Sequence, residues 1–256
     1  MQRTPPIEVR RQLRREVGFG CPIPGCGNPY LRWHHFDPPW RDEKHHRPAG
    51  MIALCAEHHA KADAGAYSRE QLHEFKRAAR KGNKQIEGRF DWLRRDLLMV
   101  VGGNFFHNTP VAIEAKGKPI IWFTRDDAAH LLVNVRMITV SGQPRCRIEE
   151  SYWISPSLPE DLECPPSGKI LRVSYANGDY LAIEFFEMQS AEDLVLRYPM
   201  ASPRGWPLSF PITAVEIAET VGGTEYRFDS SSLCLPRGNV VRACFFEGCR
   251  AGISIS

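Results

Sequence analysis

The stretch "LCAEHHAKAD", residues 54–63, decides how the first part of this chain is expected to fold. It joins an apolar run, "GMIALC", to a helix-forming segment that ends near Gly65. A second adjacent histidine pair, His34 and His35, closes the short aromatic run "YLRWHHF" upstream. Short apolar runs bounded by Pro/Gly-rich loops favour strands, so the pattern predicts a β-hairpin that leads into a helix.

Two amphipathic helices are expected around this hairpin. In "PPIEVRRQLRREVG" the apolar residues Val9, Leu13 and Val17 recur at helical spacing and the segment stops at a glycine. In "YSREQLHEFKRAARKG" Ser68 and Gln71 have the spacing of a capping box. The predicted order is therefore helix, turn-rich loop, strand, loop, strand, helix, helix.

Three cysteines and one histidine have the spacing of a structural zinc site. Cys21 and Cys26 lie on the Pro/Gly loop "GCPIPGCGNPY", which is typical of a zinc knuckle, and Cys55 and His58 form a C-x2-H pair. Three thiolates and one imidazole complete a tetrahedral set. The alternative is a group of core cysteines with an incidental histidine. Two short-spaced pairs on either side of a hairpin favour zinc.

The histidines outside this set suggest a second site. The end of the first strand and the first turn of the following helix should face each other, so His34 or His35 is expected close to His59. Adjacent strand residues point to opposite sides, which lets one histidine bind a metal ion while its neighbour serves as a base. Phosphodiester hydrolysis needs both a group that accepts a proton near pH 7 and a cation that stabilises developing charge.

These residues resemble the HNH endonucleases of the ββα-metal type. That family has the pattern C-x2-4-C, an acid or His followed by His, Asn, then LC-x2-C-H. This chain has "CPIPGC", "WHHFDP", "GMIALC" and "LCAEHHAKAD" in the same order, over about residues 18–78. The resemblance implies a metal-dependent endonuclease that hydrolyses DNA phosphodiester bonds, with structural Zn²⁺ and with Mg²⁺ or another divalent cation as the catalytic ion.

The resemblance also implies roles for individual residues. His35 falls on the general-base position, and His34 and His59 fall on the catalytic metal-ligand positions. Asp63, four residues after His59, is either a further ligand or an outer partner. The structural zinc positions fall on Cys21, Cys26, Cys55 and His58, with His58 in place of the usual fourth Cys.

One position departs from the family pattern. The central Asn normally precedes the second strand and helps to orient the base, but Gly50 stands there in "RPAGMIALC". Either another group, such as Asp37 or a backbone carbonyl, takes over that role, or activity is reduced. The competing hypothesis is a zinc-stabilised nucleic-acid-binding module with weak or no catalysis.

Charge is distributed unevenly along the chain. Residues 1–100 carry 19 Lys and Arg against 12 Asp and Glu, whereas residues 101–256 carry 14 against 18. A basic, His-rich segment suggests a polyanionic partner, most simply nucleic acid, although solvated helix faces explain many arginine runs equally well. Arg32 and Lys61 flank the proposed site and are the candidate nucleic-acid-binding residues. His45 and His46 are expected to be exposed loop residues.

The start of the chain lacks an apolar signal region, and no run approaches the length of a membrane span, so a cytoplasmic protein is expected. In that compartment the other five cysteines are interpreted as buried or free thiols.

The fold class expected for the whole chain is α+β, with two domains. Residues 1–85 form the zinc-stapled ββα-metal nuclease domain, residues 86–103 a helical connector, and residues 104–256 a β-rich domain, either a sandwich or solenoid-like. Within it, "KILRVSYANGDYLAIEFF" predicts a hairpin with a type I′ turn. This domain is expected to sense a small-molecule effector, bind a protein partner or mediate homo-oligomer assembly. Antiphage defence is a setting suggested by analogy alone.

Overall fold

The computed structural model describes residues 2–79, 86–236 and 239–255. In these ranges the protein is a mixed helix and sheet structure in which strands predominate, which confirms the coarse fold class predicted from the sequence. The helices are α1 (Ile7–Glu16), α2 (Ala56–Asp63), α3 (Arg69–Ala79) and α4 (Ala191–Arg197), with a 3-10 turn at Pro48–Gly50. None of the described helices is long and apolar enough to cross a membrane.

The strands are, in chain order, β1 (Leu31–His35), β2 (Met51–Cys55), β3 (Ile86–Arg89), β4 (Leu97–Val101), β5 (Asn104–His107), β6 (Val111–Ala115), β7 (Lys118–Arg125), β8 (Leu131–Arg136), β9 (Arg147–Glu149), β10 (Tyr152–Ser155), β11 (Asp161–Glu163), β12 (Ile170–Ser174), β13 (Tyr180–Met188), β14 (Ile212–Thr220), β15 (Arg227–Phe228), β16 (Leu233–Leu235), β17 (Asn239–Val241), β18 (Phe245–Glu247) and β19 (Ala251–Ile255).

The N-terminal part follows the predicted order. Strands β1 and β2 pair antiparallel, with Leu31 opposite Cys55 and His35 opposite Met51, and α2 begins directly after β2. All five residues of β2 are buried, in a core that α1 and α3 complete with Leu13 and Leu72. The predicted capping box of α3 also forms, since the Ser68 N–H donates to the Gln71 side chain and the Gln71 N–H donates to Ser68 Oγ.

The predicted helical connector over residues 86–103 is wrong, because this segment forms strands β3 and β4 of the β-rich part. Every residue of β4 is buried, and its neighbours are β14 on one side and β5 on the other. A strand covered on both faces carries continuous apolar residues, so its spacing also fits a helix. The pair Gly102 and Gly103, with φ of 59° and 70°, is a two-residue hairpin turn between β4 and β5.

Two sheets make up the β-rich part and share one hydrophobic core. One has the strand order β19-β6-β7-β8-β9-β10-β3, and the other runs from β11 through β14 to β17 and also holds β4, β5 and β18. Buried residues such as Ile121 and Val133 of the first sheet and Ile183 and Ile217 of the second belong to the same core cluster. The β12–β13 hairpin is confirmed by the structure.

The predicted turn type of that hairpin is wrong. The Gly178 N–H donates to the Tyr175 carbonyl, Tyr175 pairs with Asp179, and among the three loop residues only Gly178 has a positive φ, of 89°. A type I turn followed by one left-handed glycine is the three-residue hairpin loop, whereas type I′ requires two positive φ angles.

The N-terminal part is joined to the β-rich part by ion pairs and by apolar contacts. Arg14, which is 2% exposed, donates two hydrogen bonds to the Asp161 carboxylate on β11, at 2.9 and 2.5 Å. Arg10 lies 3.6 Å from Glu163. Phe19 belongs to the core of the β-rich part, and the Leu31 N–H donates to the Cys164 carbonyl.

Candidate metal centres

The first candidate metal centre is made by the knuckle loop and the start of α2. The Cys21 N–H donates to the Asn28 carbonyl, the Gly27 N–H donates to the Cys21 carbonyl, and Gly27 has a φ of 64°, so the loop closes on itself. Helix α2 begins after Cys55 and places His58 in its first turn. Ligand atoms of the whole group, Cys21, Cys26, Cys55 and His58, all lie within 4.8 Å of one another.

These separations fit a tetrahedral ion. Cys26 Sγ lies 3.8 Å from Cys55 Sγ, and His58 Nδ1 lies 3.5 Å from Cys21 Sγ and 3.2 Å from Cys55 Sγ. Zinc bonds of about 2.3 Å to sulfur and about 2.0 Å to nitrogen place tetrahedral ligand atoms about 3.5 to 3.8 Å apart. Burial raises the pKa of Cys21 to about 12, so its thiolate needs a nearby cation. This buried group could bind a metal ion such as zinc.

A second group lies where the end of β1 meets α2. His34 Nδ1 is 3.2 Å from Asp63 Oδ1, and His59 Nδ1 is 3.1 Å from Asp63 Oδ2. The two imidazole rings meet edge to face, with centroids 5.2 Å apart. Of the two adjacent histidines on β1, it is therefore His34 that meets His59. Asp63, one helical turn after His59, bridges both rings.

Both ring nitrogens of His59 face hydrogen-bond acceptors. His59 Nε2 lies 3.3 Å from the Trp33 carbonyl, to which the Nε2–H tautomer donates its proton. The Nδ1 lone pair then faces a carboxylate oxygen at 3.1 Å, and two acceptors repel each other unless a cation lies between them. Adjacent ligands of an octahedral divalent ion lie about 3 Å apart, so the spacing fits such an ion.

Burial lowers the pKa of His34 in the same group. Desolvation and the neighbouring His59 lower the pKa of His34, and the Asp63 carboxylate opposes them. The ring of His34 is therefore held neutral, which is the form that binds metal ions.

His35 lies on the opposite side of β1 and has different neighbours. Its ring centroid is 4.7 Å from that of Trp40, 5.4 Å from that of His45 and 5.7 Å from that of His46. Both ring nitrogens are buried, and neither has a hydrogen-bond partner among the described residues. Desolvation, the two histidines and Arg3 lower the pKa of His35 to about 4, against a small opposing effect of the His45 main chain. The ring is therefore neutral near pH 7 and free to accept a proton.

His45 fixes the loop that follows His35, and the expectation that it is exposed is wrong, because it is 3% exposed. Its Nε2–H donates to the Pro38 carbonyl at 2.9 Å, and its Nδ1 accepts the Arg47 N–H at 3.1 Å. The ring also packs on Gly50, where an added Cβ would lie 3.1 Å from His45 Cε1 and 1.9 Å from the Asp37 carbonyl oxygen. A side chain at position 50 is thus excluded.

Asp37, one candidate from the sequence to orient His35, faces elsewhere. Its carboxylate accepts a hydrogen bond from His73 on α3 at 3.0 Å and lies 3.6 Å from Arg69. His45, rather than Asp37, therefore stands between Gly50 and His35.

Two adjacent clefts, each of about 550 Å³, meet at the second group. Asp63 and Arg3 line both of them. The first cleft is also lined by His34, His35, Trp40, Arg41 and Arg69, and the second by His59, Trp33 and Arg32.

The two predicted nucleic-acid-binding residues differ in position. Arg32 is exposed and lines the second cleft. Lys61 lines neither cleft, and its amine lies 2.6 Å from the Glu57 carboxylate one turn earlier on α2. The basic residues Arg80, Lys81 and Lys84 lie outside the described residues.

No protein-family model, curated protein or solved structure matches this chain. Sequence reasoning missed Arg3, because an exposed residue before the first helix carries no periodic signal. It also expected His45 to be exposed, although the adjacent histidines 45 and 46, one of three such pairs in the first sixty residues, were a signal that could have pointed to this part of the site.

Proposed function

We propose that the protein is a metal-dependent endonuclease that hydrolyses DNA phosphodiester bonds. The observation that carries the proposal is the meeting of His34, His59 and Asp63 at one point between two clefts, the first of which His34 and His35 both line. The Cys3His group lies directly beside it, because His58 and His59 are neighbours on α2. A closed structural group next to an open group with few ligands is the division expected of a zinc-stabilised hydrolase.

Each side chain has a task in this proposal. His34, His59 and Asp63 hold Mg²⁺ or another divalent cation. Such an ion supplies positive charge that stabilises the charge developing on the phosphate. His35 accepts a proton from the attacking water at one of its unpartnered ring nitrogens. His45 keeps the loop after His35 in place through both of its own nitrogens.

One observation favours a second candidate, a zinc-stabilised nucleic-acid-binding module with little catalysis. Among the described side chains, none hydrogen-bonds to His35, so no side chain fixes which of its ring nitrogens carries the proton. Either candidate has DNA as its partner. A role of the β-rich part in sensing, targeting or assembly, in antiphage defence for example, stays a prediction.

A cleavage assay separates the two candidates. The full-length zinc-loaded protein should nick supercoiled plasmid DNA with added Mg²⁺ or Mn²⁺. The cleavage rates of His35→Ala and His59→Ala should be at least about 100-fold lower, because the first variant removes the general base and the second removes a metal ligand. His130→Ala, in the β-rich part, is the matched control, and zinc content shows that each variant has kept the Cys3His site. Plasmid left intact but shifted in a gel would support the binding module and refute the nuclease.

A further inference from the structure

Arg3 lies where the two clefts meet. The arm that carries it is held on both sides, since His46 donates a hydrogen bond to the Gln2 carbonyl at 3.0 Å and Pro5 is buried. The Arg3 side chain is exposed, and no described carboxylate forms an ion pair with it. Arg3 lines the same cleft as His34 and His35. An arginine on a main chain held in this way, with no ion pair to a described carboxylate, is suited to bind a phosphate beside a candidate metal site.

The clefts on either side of Arg3 are cationic. Arg41 and Arg69 line the first and Arg32 lines the second, whereas Asp63 is the one described carboxylate that lines either. Asp63 itself is directed at His34 and His59. Arg69 lies 3.6 Å from Asp37 and Arg41 lies 3.5 Å from Asp42, so Arg3 and Arg32 are the two arginines of the clefts that no described carboxylate pairs. They mark a path from one cleft into the other that a polyanionic chain could follow.

Each cleft also contains one half-buried tryptophan. Trp40 lines the first cleft, where its ring is stacked on His46 at 24° with centroids 5.3 Å apart, and Trp33 lines the second. Aromatic rings in a cationic groove bind bases by stacking, and a base offers its face only when it is out of a duplex. A cleft of about 550 Å³ is within the size range of small-ligand sites, which suits one unstacked nucleotide.

We propose that an unpaired strand of DNA passes through both clefts, with one phosphodiester at Arg3 and a base stacked on Trp40. The proposal deepens the nuclease function and rests on it for the assignment of His34, His59 and Asp63. It adds the form of the substrate, a single strand, and two residues that bind it. The strand binding itself depends on Arg3 and on the tryptophan and does not require the catalytic ion.

Binding by the full-length zinc-loaded protein, without added divalent cation, tests this directly. Fluorescence anisotropy of a labelled oligothymidylate should report tighter binding than that of a duplex of the same length. Arg3→Gln should weaken single-strand binding about tenfold and reduce the slope of log affinity against log salt by about 0.7. Trp40→Ala should weaken single-strand binding about tenfold with little effect on the duplex, and Trp40→Phe should restore most of the loss.

Matched controls lie in the β-rich part. Arg204 is an exposed arginine and Trp122 is a half-buried tryptophan, and both Arg204→Gln and Trp122→Ala should leave binding unchanged. Duplex binding as tight as single-strand binding would overturn the proposal, as would unchanged affinity in both Arg3→Gln and Trp40→Ala. Tighter binding of the matching RNA would overturn the assignment to DNA.

A cleavage comparison distinguishes failure of this inference from failure of the nuclease proposal. With Mn²⁺, circular single-stranded DNA should be cut faster than plasmid. If plasmid is cut and the single-stranded circle is not, the nuclease proposal stands and the strand inference fails. If neither is cut while the predicted binding differences are observed, strand binding stands and the nuclease proposal fails.

Discussion

Two neighbouring residues, His58 and His59, contribute to different groups because they lie on a helix. Successive residues on an α-helix are about 100° apart, so His58 faces the knuckle and His59 faces β1. Asp63, four residues after His59, lies on the same face and meets it. The choice of His34 over His35 rested on the resemblance to the HNH family, but the other members of both groups could be predicted from spacing alone for this reason. Arg3 and His45 could not, since their positions depend on the paths of non-repetitive segments.

At the first group we predict that Cys21→Ser releases the metal ion and destabilises the N-terminal part. The wild-type chain should contain one zinc ion by elemental analysis, and the variant should contain none. Loss of a structural zinc costs several kcal/mol or more, so the melting temperature should fall. Cys249→Ser, which changes a half-buried thiol far along the chain, is the control and should keep its zinc. Full zinc content in Cys21→Ser would refute the assignment of this cysteine.

At the loop after β1 we predict that His45→Ala lowers the cleavage rate about tenfold while zinc is retained. Both hydrogen bonds of the ring, to the Pro38 carbonyl and from the Arg47 N–H, are lost, and His35 loses its packing partner.

Two conservative variants should rescue part of that rate. His45→Asn can still accept the Arg47 N–H, and His45→Gln can still reach the Pro38 carbonyl, so each should be intermediate in kcat with KM little changed. A wild-type kcat for His45→Ala would show that His45 does not position His35.

Elements of the N-terminal part were predictable because their faces differ. Helices α1 and α3 bury one side only, so their apolar residues recur at helical spacing. Strands β1 and β2 lie between turn-rich loops, which mark where each strand begins and ends. The prediction failed at strand β4 because this strand is buried on both faces, which removes the alternation of apolar and polar residues that marks a strand. The Gly102 and Gly103 pair could have corrected it, since adjacent glycines after an apolar run are a hairpin signal.

Strand β14 carries a buried acid, Glu219, from which a pH dependence follows. Its Oε1 accepts the Ile138 N–H at 2.6 Å, and its Oε2 has no partner in the part of the chain that the structure describes. Desolvation, with a contribution from Asp179, raises the pKa of Glu219 to about 8. Arg145 is already engaged by Asp179, and the buried Tyr226 hydroxyl also lacks a hydrogen-bond partner among the described residues. Glu219 is thus protonated in the folded protein at neutral pH.

We predict that stability falls as pH rises from about 4.5 to about 8, because the unfolded chain ionises this carboxyl over that range while the folded chain keeps it neutral. The difference should reach a few kcal/mol at the upper end. Urea unfolding across this range should show the decline in wild type, and Glu219→Gln should flatten it. Glu225→Gln, at an exposed position nearby in the sequence, is the control and should show the same decline as the wild type. A flat wild-type profile would contradict the buried, protonated state.

At the scale of the whole molecule, the uneven charge has a second explanation besides DNA. Several arginines of α1 face the acidic strand β11, so part of the positive charge of the first hundred residues is neutralised by the β-rich part. The sequence alone could not distinguish these arginines from DNA-binding residues, because net charge does not report which surfaces meet. Those that line the clefts are a smaller set, and Lys61 is not among them.

We predict that Asp161→Asn destabilises the protein by about 2 kcal/mol, because it leaves the buried Arg14 with a weakened counter-charge. Glu163, 4.0 Å from Arg14, compensates in part. Thermal unfolding measures the loss, and Glu149→Gln, which breaks the exposed pair with Arg147, is the control and should change stability by less than about 1 kcal/mol. Equal stability of both variants would mean that the α1–β11 contact contributes little.

The central claim is that His34, His59 and Asp63 form a second metal site beside the Cys3His group. It is tested most directly by titrating Mn²⁺ into the zinc-loaded, full-length protein and following the electron paramagnetic resonance signal of free Mn²⁺. We predict that the wild type and His35→Ala each bind one Mn²⁺ per chain and that His59→Ala and Asp63→Asn bind none, with zinc retained in all four. Free Mn²⁺ throughout the wild-type titration, or equal binding by His59→Ala, would contradict the claim.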